Sequence, residues 1–212
     1  MRRRSNRLAS EFKGACYFNE ELKTIFLVGD IEHEMASKFR RAFLRLSSQG
    51  TAPITVEINT GGGDDSAGAL IVDTILNSPL KVITRAAGRV YSMGVAILAA
   101  GDIRESLPRS RFMLHWGSVQ DIDDVRAEDL QYALNEYYNW DYVYWGVIAN
   151  ATGKSQKYWK DLCRNKEHYF GPTDAQMTGL IHNIIRGDSV SDASDSGDQF
   201  EKEYVKKRLQ EE

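Results

Sequence analysis

The feature that most narrows the possible folds is a pattern repeated along the first hundred residues: a short apolar run, a turn carrying glycine, and a segment with helical spacing. Thr24 to Gly29 (TIFLVG) reads as a buried strand; Asp30 is placed to cap a helix over residues 32–47 whose apolar face carries Met35, Phe39, Phe43 and Leu44. Ile54 to Ile58 (ITVEI) begins a second unit, followed by the loop Asn59-Thr60-Gly61-Gly62-Gly63 and a helix with Leu70, Ile71, Ile75 and Leu76 that runs to Pro79. A third unit goes from Val82 and Ile83 through Gly88 to Tyr91 and into the apolar segment Ser92 to Ala100. Helical crossovers join parallel strands, so the repeated pattern predicts an α/β layered fold with a largely parallel sheet.

Beyond Gly101 the rhythm changes. Two short strands are expected at Ile103 to Leu107 and Arg111 to His115, separated by Pro108. Asp124 to Ala151 reads as one long helix with Tyr132, Tyr137, Tyr138, Trp140, Tyr142, Tyr144 and Trp145 on several faces, which suits either packing between subunits or burial inside the monomer. Helices at Ser155 to Cys163 and Pro172 to Thr178 and a strand at Leu180 to Ile185 complete the expected elements. This divides the chain into an N-terminal segment (1–21), one domain (22–186) and a tail (187–212). The tail begins GDSVSDASDSGD, which has little apolar area to bury and is expected to be disordered; FEKEYVKKRLQEE after it has the spacing of a short solvated helix.

Composition excludes several function classes. With 27 basic and 30 acidic residues in 212, the net charge of -3 offers no general attraction for nucleic acid. Cys16 and Cys163 cannot make a disulfide framework, and His33, His115, His168 and His182 occur without CxxC or HExxH, Ser37 standing where the second His would fall; no metal is expected. The longest apolar stretch, Val95 to Ala100, is far short of the roughly 20 residues that cross a bilayer, so no membrane association is expected. The basic start MRRRSNRLAS lacks an apolar core after it, which favours a cytoplasmic location.

Chemistry is expected where strands hand over to helices, because backbone N–H groups converge at that edge of the sheet. Gly61-Gly62-Gly63 permits positive φ and close approach of a substrate, and serves equally as a plain tight turn. Asp64 and Asp65 follow where a phosphate cradle would carry Lys and Ser or Thr, so no nucleotide cofactor is expected. Ser92 opens the apolar helix after a Gly-containing turn; it either caps that helix or is a nucleophile with the Met93 amide behind it. Position 90 is Val, so the literal GxSxG elbow is absent. A serine hydroxyl needs a base, and His115, at a strand exit before Trp116-Gly117, is better placed than His168 in a loop or His182 in the closing strand.

Taken in order, Phe26 to Ala36 (FLVGDIEHEMA), Ile58 to Gly63 (INTGGG), Ser66-Ala67-Gly68, Tyr91 to Gly94 (YSMG), Arg111 to His115 (RFMLH) and Gly179-Leu180-Ile181 resemble the ClpP peptidase family across residues 22–186. The resemblance implies a serine peptidase of the ClpP/crotonase fold, a spiral of strand-turn-helix units with a long protruding oligomerisation helix. It matches Ser92 to the nucleophile, His115 to the general base, and Gly63 and Met93 to the oxyanion-hole amides. Glu167 occupies the slot in which the family carries Asp. Gly61, Gly62 and Trp116 fall at substrate-binding positions, Gly61 replacing the family's proline. The implied substrates are peptides or unfolded proteins, cut inside a homo-oligomeric chamber of one or two heptameric rings. Docking of an AAA+ ATPase unfoldase belongs to the same resemblance, but the aromatic residues of its clefts appear here as Thr55 and Glu57. The stretch after the histidine is shortened to residues 116–123. Two other functions share the architecture: a catalytically inactive ring subunit, and a crotonase-type acyl-CoA enzyme, which would have no need of Ser92 and His115 together.

Overall fold

The structure, a computed structural model, describes residues 14–117, 127–164 and 166–186. Most of the N-terminal segment, the whole tail and most of the shortened stretch after His115 lie outside the described residues. Along the chain the strands are β1 (Ala15–Asn19), β2 (Thr24–Val28), β3 (Ile54–Thr60), β4 (Val82–Tyr91), β5 (Ile103–Ser106), β6 (Arg111–Leu114), β7 (His168–Phe170) and β8 (Asn183–Ile184). The helices are α1 (His33–Ser47), α2 (Asp65–Leu76), α3 (Met93–Ala99), α4 (Ala127–Thr152), α5 (Gln156–Leu162) and α6 (Pro172–Met177).

The three repeated units become β2-α1, β3-α2 and β4-α3, and their strands pair in parallel as the pattern predicts. The sheet runs β1-β2-β3-β4-β5-β8, with β6 joined to β4 and β7 to β6. Alternation on β3 buries Ile54, Val56 and Ile58 completely, and Met35, Phe39, Phe43 and Leu46 of α1 pack into the same core. Every residue of α3 is buried, which is where a helix apolar on all sides must sit.

One departure from regularity positions the site. β4 changes partner midway: residues 83–86 pair with β5, while Arg89, Val90 and Tyr91 pair with β6. The change falls at Gly88 (φ 97°), where the β3–β4 register also shifts. The Asn59 side chain bridges the gap, its Oδ1 accepting from the Arg89 N–H at 3.1 Å. A Cβ on Gly88 would lie 2.9 Å from that oxygen, so a side chain there would press on the bridge. The change of partner sets the end of β4 beside β6 while Val90 still pairs with Thr60 of β3, and the next residue is Ser92.

Several sequence expectations need correction. Asp30 does not cap α1: Ile31 is drawn into a parallel bridge with Gly63, which keeps the chain extended to Glu32, the N-cap residue, whose side chain makes no cap bond. The closing strand is confined to Asn183–Ile184, because the Leu180 and Ile181 N–H groups both turn back onto the Ala175 carbonyl at the end of α6. His182 therefore precedes the strand, where its Nδ1 accepts from the Arg104 N–H. His168 opens β7 and is not in a loop. The edge strand β1, antiparallel to β2, was not foreseen; it is mostly exposed, has no apolar alternation, and is held through stacking of Tyr17 on Phe26 at 4.8 Å.

The C-terminal part is fastened by a buried cation. The Arg104 guanidinium donates to the carbonyls of Leu180, Gly101, Ala151 and Gly179 at 2.8–3.2 Å, joining β5 to the end of α4 and to the segment after α6. The long helix divides into two parts. Tyr144, Trp145 and Ile148 are buried against the core, whereas Tyr132, Tyr138 and Tyr142 are exposed. Burial inside the monomer holds for the second stretch, while the first presents its tyrosines on the surface.

Candidate active site

Ser92 stands at the junction of β4 and α3 with φ 51° and ψ -126°, a conformation that costs a non-glycine residue about 1–3 kcal/mol. Its surroundings hold it there. Its N–H donates to the Met113 carbonyl of β6 at 2.8 Å, and its carbonyl accepts from the Val95 N–H at 2.8 Å and from the Tyr144 hydroxyl at 3.3 Å. The side chain occupies the N-cap position of α3 but makes no capping bond. Its Oγ lies instead 2.8 Å from Nε2 of His115. Of the two uses open to a serine at this place, the geometry is that of a hydroxyl presented to a base.

His115 follows β6 directly. Phe112 and Leu114 are fully buried, and Phe112 stacks on Phe170 of β7 at 5.3 Å, so the imidazole leaves from a fixed strand end. The bend in β4 brings that strand end beside Ser92, 23 residues away in sequence.

The glycine turn lies against the same serine. A Cβ on Gly62 (φ 101°) would be 2.7 Å from the Ser92 Cβ and 3.2 Å from its Oγ, so only glycine fits. The Thr60 hydroxyl fixes the turn by accepting the Gly62 N–H at 3.0 Å. In the bridge to Ile31, the Gly62 carbonyl and the Asp64 N–H are used, and the Gly63 N–H has no backbone acceptor among the described residues. Met93 is the first residue of α3, and its N–H has no intrahelical partner. Two donors are thus left available on the elements that flank Ser92, of the kind that stabilises charge on an oxyanion.

The remaining expected site residues are less closely gathered. Leu114 pairs with His168 in the antiparallel β6–β7 ladder, and one further step sets His115 opposite Glu167. The exposed Glu167 carboxylate accepts from the Tyr169 hydroxyl at 2.6 Å, and among the described residues no hydrogen bond joins it to His115. Trp116 leans on α5, its Nε1 donating to the Lys160 carbonyl at 3.3 Å with the Lys160 ammonium 5.5 Å from the ring centre. Gly61 has open space around it: the nearest atom to an added Cβ is Asp30 Oδ1 at 3.7 Å.

Beside Ser92 and His115 is a narrow, half-open cavity of about 30 Å³, walled by Asp65, Gly117, Tyr137, Trp140, Asp141 and Tyr144. Sequence reasoning missed its two carboxylates. Asp65 was read only as an argument against phosphate, although Asp64 alone is used as the cap of α2, accepting from the Ala67 N–H at 2.8 Å. The spacing of Tyr137, Trp140, Asp141 and Tyr144 marks one face of a helix, but nothing in it says that this face meets the serine. Burial raises the Asp65 carboxyl above its ordinary range, the neighbouring Asp64 and Asp141 add to that, and His115 opposes it. Burial likewise lifts the Tyr144 hydroxyl well above the usual tyrosine value.

Other chemistry finds little support. Burial pushes the Cys16 thiol up to about 11 and the Cys163 thiol to about 12, so both stay protonated at neutral pH and neither is an activated nucleophile. Among the described residues no three His, Cys, Asp or Glu side chains gather to hold a metal ion, and no helix is long and apolar enough to cross a membrane.

Comparison with known proteins gives the family. The chain is 30% identical over 173 residues to the ATP-dependent Clp protease proteolytic subunit 1 of Corynebacterium jeikeium (strain K411), the match covering 77% of this chain and 87% of that protein. Its structure resembles that of a ClpP1 N165D mutant from Listeria monocytogenes with a TM-score of 0.70 and 27% identity, over 80% of this chain and 94% of the other. The model of the family described as Clp protease matches residues 17–188, and with the parallel sheet, the strained serine and its histidine already in place, the chain belongs to the Clp protease family.

Proposed function

We propose that the protein is a serine endopeptidase in which Ser92, His115 and an acidic partner act on peptides or unfolded chains. The observation that carries the reading is the 2.8 Å approach of Ser92 Oγ to His115 Nε2 from a serine held at positive φ. In this reading Ser92 Oγ attacks the peptide carbonyl carbon while His115 Nε2 takes the hydroxyl proton. The carbonyl oxygen becomes an oxyanion held by the N–H groups of Gly63 and Met93, and as it collapses His115 gives the proton to the leaving amine. Water then repeats the cycle on the acyl-serine and releases the acid. Glu167, opposite His115 on the extended ladder, supplies the third group by turning its carboxylate from Tyr169 to the imidazole. Gly61 and Gly62 offer backbone to an extended peptide, and Trp116 borders the path.

The assembly belongs to the same proposal. Exposed Tyr132, Tyr138 and Tyr142 on α4 supply apolar area for packing against other copies, forming a heptamer or tetradecamer that encloses the serines in the cytoplasm. On β3 the half-buried Thr55 and Glu57 give any AAA+ ATPase a polar cleft wall in place of an aromatic one, which favours peptide hydrolysis without an ATPase. The test is labelling of the native protein by a fluorophosphonate together with cleavage of fluorogenic peptides. Wild type should label at Ser92 and cleave, and S92A should do neither while keeping the same assembly mass. Wild-type protein that assembles but neither labels nor cleaves would mark it as an inactive subunit.

A further inference from the structure

The wall of the cavity beside the serine carries an exposed carboxylate, Asp65, that no side-chain cation pairs with among the described residues. Asp141 is fully occupied: its Oδ1 accepts from Trp145 Nε1 at 2.6 Å and its Oδ2 pairs with the Lys160 ammonium at 2.7 Å. Asp64, next in the chain, is taken up by Ala67 and the Ser66 hydroxyl. Asp65 has neither a hydrogen-bonded nor an ion-paired cation among the described residues, yet it lines the same cavity wall as Ser92 and His115. Asp65 is exposed to solvent at this wall, and partial desolvation with Asp64 and Asp141 raises its carboxyl against the opposing His115, so a cation arriving from solvent meets a carboxylate crowded by like charge.

The shape restricts what can enter. A peptide whose carbonyl carbon sits on Ser92 Oγ carries its own side chain one bond from that carbon's neighbour, so this side chain meets the cavity touching Ser92. The enclosed space, about 30 Å³, holds no more than a water or two, so the side chain would lie along its open side, where a slender unbranched stem needs less room than an indole or phenol ring. Tyr137 and Trp140 supply aromatic walls for methylene groups and for a cation near a ring face. At one side of the cavity stands Asp65.

We infer that Asp65 is a specificity-determining residue that selects peptides with lysine or arginine as the residue donating the attacked carbonyl. The inference rests on the serine-peptidase reading above and adds to it the class of substrate. A charge-assisted hydrogen bond to the Asp65 carboxylate would hold the cationic side chain at that side of the cavity, with Lys160 keeping Asp141 neutralised.

The experiment uses the full-length assembled protein and peptidyl-aminocoumarin substrates that differ only in Arg, Lys, Leu or Glu before the coumarin, a leaving group with no side chain of its own. The Arg and Lys substrates should show the higher kcat/KM, and in D65N the Arg-to-Leu ratio should fall by about tenfold or more, the size of a lost hydrogen bond to a charged group. Agmatine should slow fluorophosphonate labelling of Ser92 in wild type and protect D65N much less. Labelling of D65N without agmatine shows that its site is still folded. If Ser92 labels and the protein cleaves Leu better than Arg, or D65N lowers all substrates equally so that the ratio is unchanged, the assignment is overturned while the peptidase reading stands. The uniform loss would place Asp65 behind His115 instead. If Ser92 neither labels nor cleaves any substrate, it is the peptidase reading that fails.

Discussion

The strain at Ser92 makes a prediction that runs against the ordinary ranking of glycine and alanine. Substituting Ser92→Ala or Ser92→Gly removes the bond to His115 equally, so the two variants differ only in backbone terms. Alanine keeps a Cβ at φ 51°, ψ -126° and with it the cost of about 1–3 kcal/mol, which glycine does not bear. Against this, glycine gives the unfolded chain more freedom, which costs about 0.4–1 kcal/mol. The balance favours S92G over S92A by about 1 kcal/mol, with an upper end near 2.6. For a chain of this length that is a difference in Tm of about 2–4 °C per kcal/mol. The assay is thermal unfolding of the two variants at one protomer concentration, since subunit association also shifts Tm. If S92A melts at or above S92G, the serine is not held in a strained state, and the argument that its neighbours force it towards His115 fails.

Four further outcomes follow from the same contacts. G62A should lose about 2 kcal/mol or more and most peptidase activity, because the new methyl sits at positive φ and 2.7 Å from the Ser92 Cβ; chemical unfolding and peptide hydrolysis measure the two effects. R104A should cost about 3 kcal/mol in urea unfolding, since four carbonyls lose a buried donor at once. E167Q should lower kcat by about tenfold or more if the carboxylate supports His115, whereas Y169F, which only frees that carboxylate, should not lower it; equal silence of both would remove Glu167 from the mechanism. Burial alone would raise the Asp102 carboxyl, but the Val82 N–H and Lys81 outweigh it and hold it below its usual range. The ionised form therefore favours the native state: D102A should melt below wild type at neutral pH, and the gap should close as pH falls below the unfolded-state value of about 3.9 and on through the native value.

How far the candidate site could be read from the sequence depended on the range of the interaction involved. Ser92 and His115 were legible because each marks a local event, a strand-to-helix turn and a strand exit. What brought them to 2.8 Å was the bend at Gly88, where β4 leaves β5 for β6, and no local pattern announces a change of partner. Asp30 was misread as a cap because a bridge between Ile31 and Gly63, far apart in sequence, keeps the chain extended. Asp65 escaped notice because its meaning depends on α4, which reaches it from more than seventy residues along the chain.

By itself the sequence determined the layered α/β plan and the parallel order of the first strands, and it offered Ser92 and His115 as candidates for nucleophile and base. Those follow from apolar periodicity and from glycine placement, which act over a few residues at a time. Only the tertiary structure decided that the Ser92 side chain faces His115 and not its own helix, that Glu167 is held by Tyr169, and that Asp65, without a paired cation among the described residues, lines the cavity next to the serine. Hydrogen bonds and charges take their partners from whatever the fold brings within a few ångströms, and periodicity in one segment carries no information about the others that will lie against it.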